Sequence, residues 1–212
     1  FVRDHPDHMP PDVLRVLRDT GATAFGETLA LPGIWAFWWP RYERIIEWFS
    51  ETETAYRQHI RKTHTEVAGA LKIISSQGDF TLTAKADRVD ELQDGTISII
   101  DYKTGGPPSG TDISLGFAPQ LPLEAAIAQA GGFSGVAGAP VSLLEFWRLS
   151  GGEPAGERRP AGKEIEALAE AALRGLTDLV TRFDDPETPY LSQPDPSHAP
   201  SWSDYTHLAR VL

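Results

Sequence analysis

Apolar residues recur along this chain with two different periods, and the period first changes near residue 63. In "PPDVLRVLRDTG" (10–21), Val13, Leu14 and Leu17 share one face and Gly21 follows as a stop, which predicts a short helix. Pro40 suits a first helical turn, and Ile45, Ile46, Trp48 and Phe49 recur behind it, which predicts a long helix over 40–61. Trp35, Phe37, Trp38 and Trp39 precede that helix and are expected in the core, because aromatic side chains mostly supply buried area. Beyond residue 63 the period is two. "HTEVAGALKII" predicts one strand; in the next, Phe80, Leu82, Ala84 and Ala86 alternate with Thr81, Thr83, Lys85 and Asp87. "QDGT" supplies an Asp-Gly hairpin turn, "TISIIDYKT" a third strand and "GGPPSG" a break. "APQLPLEAAIAQAGG" reads as a helix closed by glycine and "PVSLLEFWRL" as a fourth strand. After a Gly/Pro-rich loop, Ile165, Leu168, Ala172, Leu176, Leu179 and Phe183 mark a strongly amphipathic helix. The tail reads as loop with a short helix at its end. Helices, three strands, helix, strand, helix is the order of an α/β or α+β sandwich.

The charges on the strands change this picture. Asp101 and Lys103 are two apart, so they share a face of the third strand. Asp87 lies on the neighbouring strand, where the hairpin can bring it beside Asp101. Two adjacent carboxylates repel unless a cation sits between them, and oxygen-only ligands suit Mg²⁺ or Mn²⁺. Such an ion polarises a phosphodiester and acidifies a bound water. Lys103 would then orient that water or offset charge in the phosphoryl transition state. A solvated Asp-x-Lys ion pair explains an isolated triplet of this kind. Here "ISII" is the apolar run of a buried strand, and the glycine and proline break puts the charges at a strand end, where sites are often built. Glu66 is a candidate for a water-mediated ligand, with Glu53 a weaker one and a plain surface role open to both. Lys85 and Arg88 flank Asp87 as candidate phosphate contacts. His64 reads as structural or exposed.

Composition narrows the function classes. The 212 residues carry a net charge of −11, so a nucleic-acid role needs a local basic patch, a divalent metal or a basic partner. The absence of cysteine excludes disulfides and cysteine-ligated zinc or iron–sulfur centres, and fits a reducing compartment. No apolar run reaches membrane-spanning length, so no membrane association is expected. No Walker motif or serine-triad signature occurs. The chain opens at "FVRDHPDHMP" without an initiator Met and is expected to be a piece of something longer.

"GDFTLTAKADRVDELQDGTISIIDYKTG" resembles the core of the RecB-like branch of the PD-(D/E)xK nuclease superfamily. "ADRVD" matches its Asp-bearing strand and "IIDYKTG" its Asp-x-Lys strand. "FWWPRYERIIEWF", "APQLPLEAAI", "FWRLSGG" and "DYTHLARV" are similar to the C-terminal nuclease domain of the alphaproteobacterial AddB family. This resemblance implies a restriction-endonuclease-like α/β core, a central mixed sheet flanked by helices. A helical region would cover 1–62, the core 63–150, and a helix and tail 151–212. It implies a bacterial, cytoplasmic exonuclease acting on DNA within a helicase–nuclease complex, beside an AddA-like subunit. Asp87 and Asp101, with Glu66, would hold Mg²⁺ or Mn²⁺; Lys103 would assist catalysis; Gln120, Tyr102, Lys85 and Arg88 would meet DNA. An inactive nuclease-fold module that binds DNA ends or a partner is the alternative, and an unrelated α/β protein with an ion-pair network is a second. The sequence departs from the family in three places. Glu124 stands where the pattern Gln-x-x-x-Tyr has Tyr. Pro200, Ser203 and Ala209 stand at the positions of cysteines that hold an iron–sulfur staple in many AddB domains, so no such cluster is expected; Trp202, Tyr205 and Leu208 would tie down the tail instead. The family's metal-binding histidine is expected before Phe1, and His5 and His8 read as loop residues.

Overall fold

A computed structural model describes residues 1–199 and 204. The expectations for Pro200, Trp202, Ser203, Tyr205, Leu208, Ala209 and the terminal helix fall outside those residues. The sheet has five strands in the order of the chain: β1 (Ile60–Ile73), β2 (Phe80–Leu92), β3 (Ile97–Lys103), β4 (Val141–Leu149) and β5 (Gly156–Pro160). The β1–β2, β2–β3 and β4–β5 pairs are antiparallel, and β3–β4 is parallel. The mixed α/β architecture read from the sequence is therefore the observed one.

The parallel pair requires a crossover, and α3 (Gly110–Ser114) and α4 (Gln120–Gln129) supply it. α3 is short and was not expected; Ser109 and Asp112 close a capping box at its start. α4 is buried nearly all round, with Leu121, Ala125, Ile127 and Ala128 in the core on one face of the sheet. Its alanines let the helix lie close to the strands. α5 (Ile165–Phe183) joins α4 on that face. Its apolar stripe is only partly covered, since Leu179 and Phe183 remain exposed.

The opposite face is covered by α1 (Val13–Phe25) and α2 (Trp39–Arg57), whose Leu17, Ile46, Phe49 and Tyr56 pack around Ile100 and Trp147. The aromatic cluster ahead of α2 departs from expectation. Residues 34–38 form a π-helical turn, and Trp35, Phe37 and Trp38 are 57%, 73% and 55% exposed. Only part of the cluster turns inward, where Trp39 meets Phe25 and Tyr42. Phe37→Ser is accordingly expected to change unfolding free energy by less than about 0.5 kcal/mol in a urea titration, the range for surface positions.

β5 lies where the sequence predicts loop, because "GERRP" carries no apolar alternation. It is an edge strand held through side chains. Arg158 donates to both oxygens of buried Glu145, at 2.8 and 3.0 Å, and lies over the Trp147 ring.

The β1–β2 hairpin is irregular at two places: its register shifts between Ile60 and Lys62, and its alternation breaks farther along, where site residues lie. Strict alternation puts residues three apart on opposite faces. Ala86 and Val89 nevertheless both join the core on the α4 side, and Arg88 between them reaches Glu53 and Tyr56 of α2. The pairing steps from Thr65↔Arg88 to Val67↔Ala86, which leaves Glu66 and Asp87 opposite each other. Glu66 takes up the irregularity in left-handed backbone, at φ 52°.

Candidate active site

Asp87 sits at this kink, and its Oδ2 accepts a 3.0 Å hydrogen bond from the backbone N–H of Tyr102. It lines a cleft of about 320 Å³ with Glu66, Phe49, Thr65, Tyr102 and the first residues of the chain. One residue before Tyr102, Asp101 ends the buried stretch of β3 and is 3% exposed. Lys103 Nζ lies 3.1 Å from its Oδ1 and 2.8 Å from its Oδ2. From the first turn of α4, Gln120 Nε2 donates to Asp101 Oδ1 at 2.7 Å and to Glu124 Oε1 at 3.2 Å.

Electrostatics bind these groups into one unit. Burial raises the Asp101 carboxyl above its ordinary range; Lys103 opposes that shift and the charge of Asp87 adds to it. Burial pushes Glu124 up to about 7, with Asp101 and Asp87 raising it further and Gln120 holding it back. The unfolded chain would ionise Glu124 near the ordinary glutamate value of 4.5. A raised native pKa contributes stability that is complete below the unfolded value and is lost as pH rises through the native one. Urea stability in chelator is therefore expected to fall by up to about 3 kcal/mol between pH 5 and pH 8. Glu124→Gln should remove most of that fall.

The structure gathers some of the sequence candidates and separates others. Asp101, Lys103 and Gln120 are in direct contact, and Asp87 is their electrostatic neighbour. Glu66 reaches the Asp87 cleft, but its carboxylate is paired with Lys85, and both side chains are largely exposed. Arg88 is corrected. It is fully buried, donates to Glu53 Oε2 at 2.7 Å and to the Tyr102 hydroxyl at 3.1 Å, and lies 2.8 Å from Asp90 Oδ2, so it cannot reach a phosphate. The Tyr102 hydroxyl is likewise turned inward, and burial pushes it up to about 12. Tyr102 contributes its backbone N–H to the site instead of a DNA contact through its hydroxyl. Glu53 is no ligand candidate, because both its oxygens are taken by Arg57 and Arg88. His64 is bonded to Glu91 at 2.8 Å.

Sequence reasoning saw Glu124 only as a departure from a pattern and missed it as a member of the site. A signal was present. It is the one charged residue of "QLPLEAAIAQ", a helix otherwise apolar or small, so burial was to be expected, and it lies one turn from Gln120.

The donor set fits a hard divalent cation. Asp101 Oδ2 is buried and makes no hydrogen bond, leaving Lys103 as its ion-pair neighbour. Among the described residues, one oxygen of Asp87 is engaged, by the Tyr102 N–H. Among the described residues no group of three or more His, Cys, Asp or Glu side chains is assembled as a metal site. Mg²⁺ is commonly held by one or two carboxylates together with water and substrate phosphate, so two suffice.

The sequence profile of the PD-(D/E)XK nuclease superfamily matches residues 12–197. The chain belongs to that superfamily. Among curated proteins it is similar to uncharacterized proteins of Rickettsia bellii and Rickettsia felis, each 32% identical over 78 residues, and to the uncharacterized protein RT0391 of Rickettsia typhi, 30% identical over the same length. Each match covers 37% of this chain and 9% of the relative, so the chain aligns with a small part of much longer proteins. The crystal structure of SSO0001 is a distant likeness, with a TM-score of 0.36 and 12% identity, covering 77% of this chain and 70% of that one. No helix among the described residues is long and apolar enough to cross a membrane.

Proposed function

We propose that this chain is the nuclease domain of an AddB-type helicase–nuclease subunit. It would hydrolyse phosphodiester bonds in DNA strands during double-strand break repair by homologous recombination, as an exonuclease working beside an AddA-like subunit. One observation carries the reading: at the end of β3 the Lys103 ammonium spans both oxygens of buried Asp101, with the Asp87 carboxylate as their neighbour. Asp87 and Asp101 would hold Mg²⁺ or Mn²⁺, which would supply charge neutralisation at the phosphate and a more acidic water. The Tyr102 N–H orients Asp87 for that task. In the reaction, water oxygen bonds to phosphorus while the bond from phosphorus to the leaving oxygen breaks; the water gives up a proton to solvent and the leaving oxygen takes one from it. Lys103 donates a hydrogen bond where negative charge gathers on the phosphoryl oxygens, its ammonium held at the end of a rigid strand. Lys85, exposed beside Glu66, is a candidate for backbone phosphate contact. The net charge of −11 fits a domain that receives DNA through a larger assembly, which would carry most of the phosphate affinity.

The test is cleavage of labelled single-stranded DNA by the full chain in Mg²⁺, in Mn²⁺ and in chelator. Lys103→Ala is expected to lower the metal-dependent rate by about 10²-fold. Equal cleavage by wild type and variant, or cleavage unaffected by chelator, would overturn the reading. DNA-end binding without any cleavage would favour an inactive binding module instead.

A further inference from the structure

The Gln120 amide is wedged between two carboxyl groups. Its Nε2 donates to Asp101 Oδ1 at 2.7 Å and to Glu124 Oε1 at 3.2 Å, and both acceptors belong to residues only 3% exposed. A side-chain amide has two N–H protons and one oxygen. Both protons are thus engaged, and the flip that would exchange nitrogen and oxygen is disfavoured, because it would set the amide oxygen against Asp101 Oδ1. Asp101 Oδ1 is an acceptor in any case, since it also receives Lys103. Gln120 itself is exposed at the start of α4, so what remains available to a ligand is its carbonyl oxygen.

We infer that Glu124 is a positioning residue that, with Asp101, turns the Gln120 amide so that its oxygen rather than its NH₂ faces the substrate. The inference rests on the nuclease reading and narrows it. An oxygen cannot donate to phosphate. Within a DNA strand the groups that can meet an acceptor are the N–H groups of the bases and the terminal hydroxyls. Gln120 therefore contacts a base edge or a strand end, not the backbone. Unpaired strands, whose base N–H groups are not spent on pairing, are the better substrate. Glu124 touches none of this directly. It lies one helical turn behind Gln120 and fixes the orientation from the protein side.

Two measurements test this. The first is ¹⁵N-edited NMR of the Gln120 side-chain amide, assigned by its disappearance in Gln120→Leu. Wild type is expected to show both protons protected from exchange; Glu124→Leu should release one of them, and Glu124→Gln, which keeps an acceptor oxygen, should restore it. The second is steady-state cleavage of single-stranded DNA in Mg²⁺. Glu124→Leu is expected to raise KM about tenfold, the scale of a lost hydrogen bond to a charged group. Its kcat should stay within about twofold, and Glu124→Gln should restore KM, a split that loss of folded protein would not produce. Wild-type KM and two protected protons in Glu124→Leu would overturn the inference. Full cleavage by Asp101→Ala would overturn the nuclease reading instead, and the amide resonances would still decide the orientation of Gln120.

Discussion

Asp101→Ala is expected to lower metal-dependent cleavage of single-stranded DNA by about 10³-fold, the upper range for removing one preorganised electrostatic contact. Two side chains depend on this carboxylate, and it is itself a candidate metal ligand. It takes both contacts of the Lys103 ammonium, accepts the shorter hydrogen bond of Gln120, and keeps one buried oxygen free of hydrogen bonds. Removing it frees Lys103, releases Gln120 and deletes a ligand at once. Asp101→Asn separates chemistry from folding. It keeps the shape of the side chain but loses the charge and turns one acceptor oxygen into an NH₂ donor, so it should be nearly as inactive as Ala. Its thermal stability should equal or exceed that of wild type, because burial already disfavours the ionised Asp101 in the folded state. Parallel melting curves and cleavage rates for the three proteins check this. An active Asp101→Asn would mean that charge at this position is not used.

Arg88→Met is expected to destabilise the fold by about 3–5 kcal/mol, the cost of leaving buried charges without their partner. Arg88, Glu53 and Asp90 are all fully buried. Arg88 joins them, bonds the Tyr102 hydroxyl, and lies over the rings of Tyr56 and Trp147 at 5.3 and 5.8 Å. Without it, Asp90 keeps Thr63 and Glu53 keeps Arg57, but both carboxylates remain in the interior. The triple variant Glu53→Gln, Arg88→Met, Asp90→Asn should recover much of the loss, because it removes the charges together. Urea unfolding of the single and triple variants measures this. A loss below about 1 kcal/mol for Arg88→Met would show that water or rearrangement relieves the two carboxylates.

Much of the fold was legible because its signals are local. The change of period at residue 63, the Asp-Gly turn and the apolar run before Asp101 each announce themselves within a few residues, and so does the charged end of β3. What escaped depends on contacts distant in sequence. Arg88 reads as an exposed strand residue until Glu53, 35 residues away, is brought beneath it by α2. Its side changes because the hairpin is kinked at Glu66, and no residue type there marks the kink; a glycine would have, but a glutamate carries the positive φ. β5 escaped because its support comes from Glu145 on another strand. The aromatic residues ahead of α2 were misplaced for a different reason: bulk and apolarity argue for burial on average and say nothing about a particular turn.

The kink has a consequence for how β2 tolerates change. Along an ordinary half-buried strand, sensitivity to substitution rises and falls with every second residue. Here the rhythm slips by one beat at Asp87. Ala86 and Val89 both answer to the α4 core, Arg88 to the interior under α2, and Asp87, in the slipped position, to neither. The chain thus frees one residue from the demands of packing without exposing the strand around it, so its identity can be set by chemistry alone.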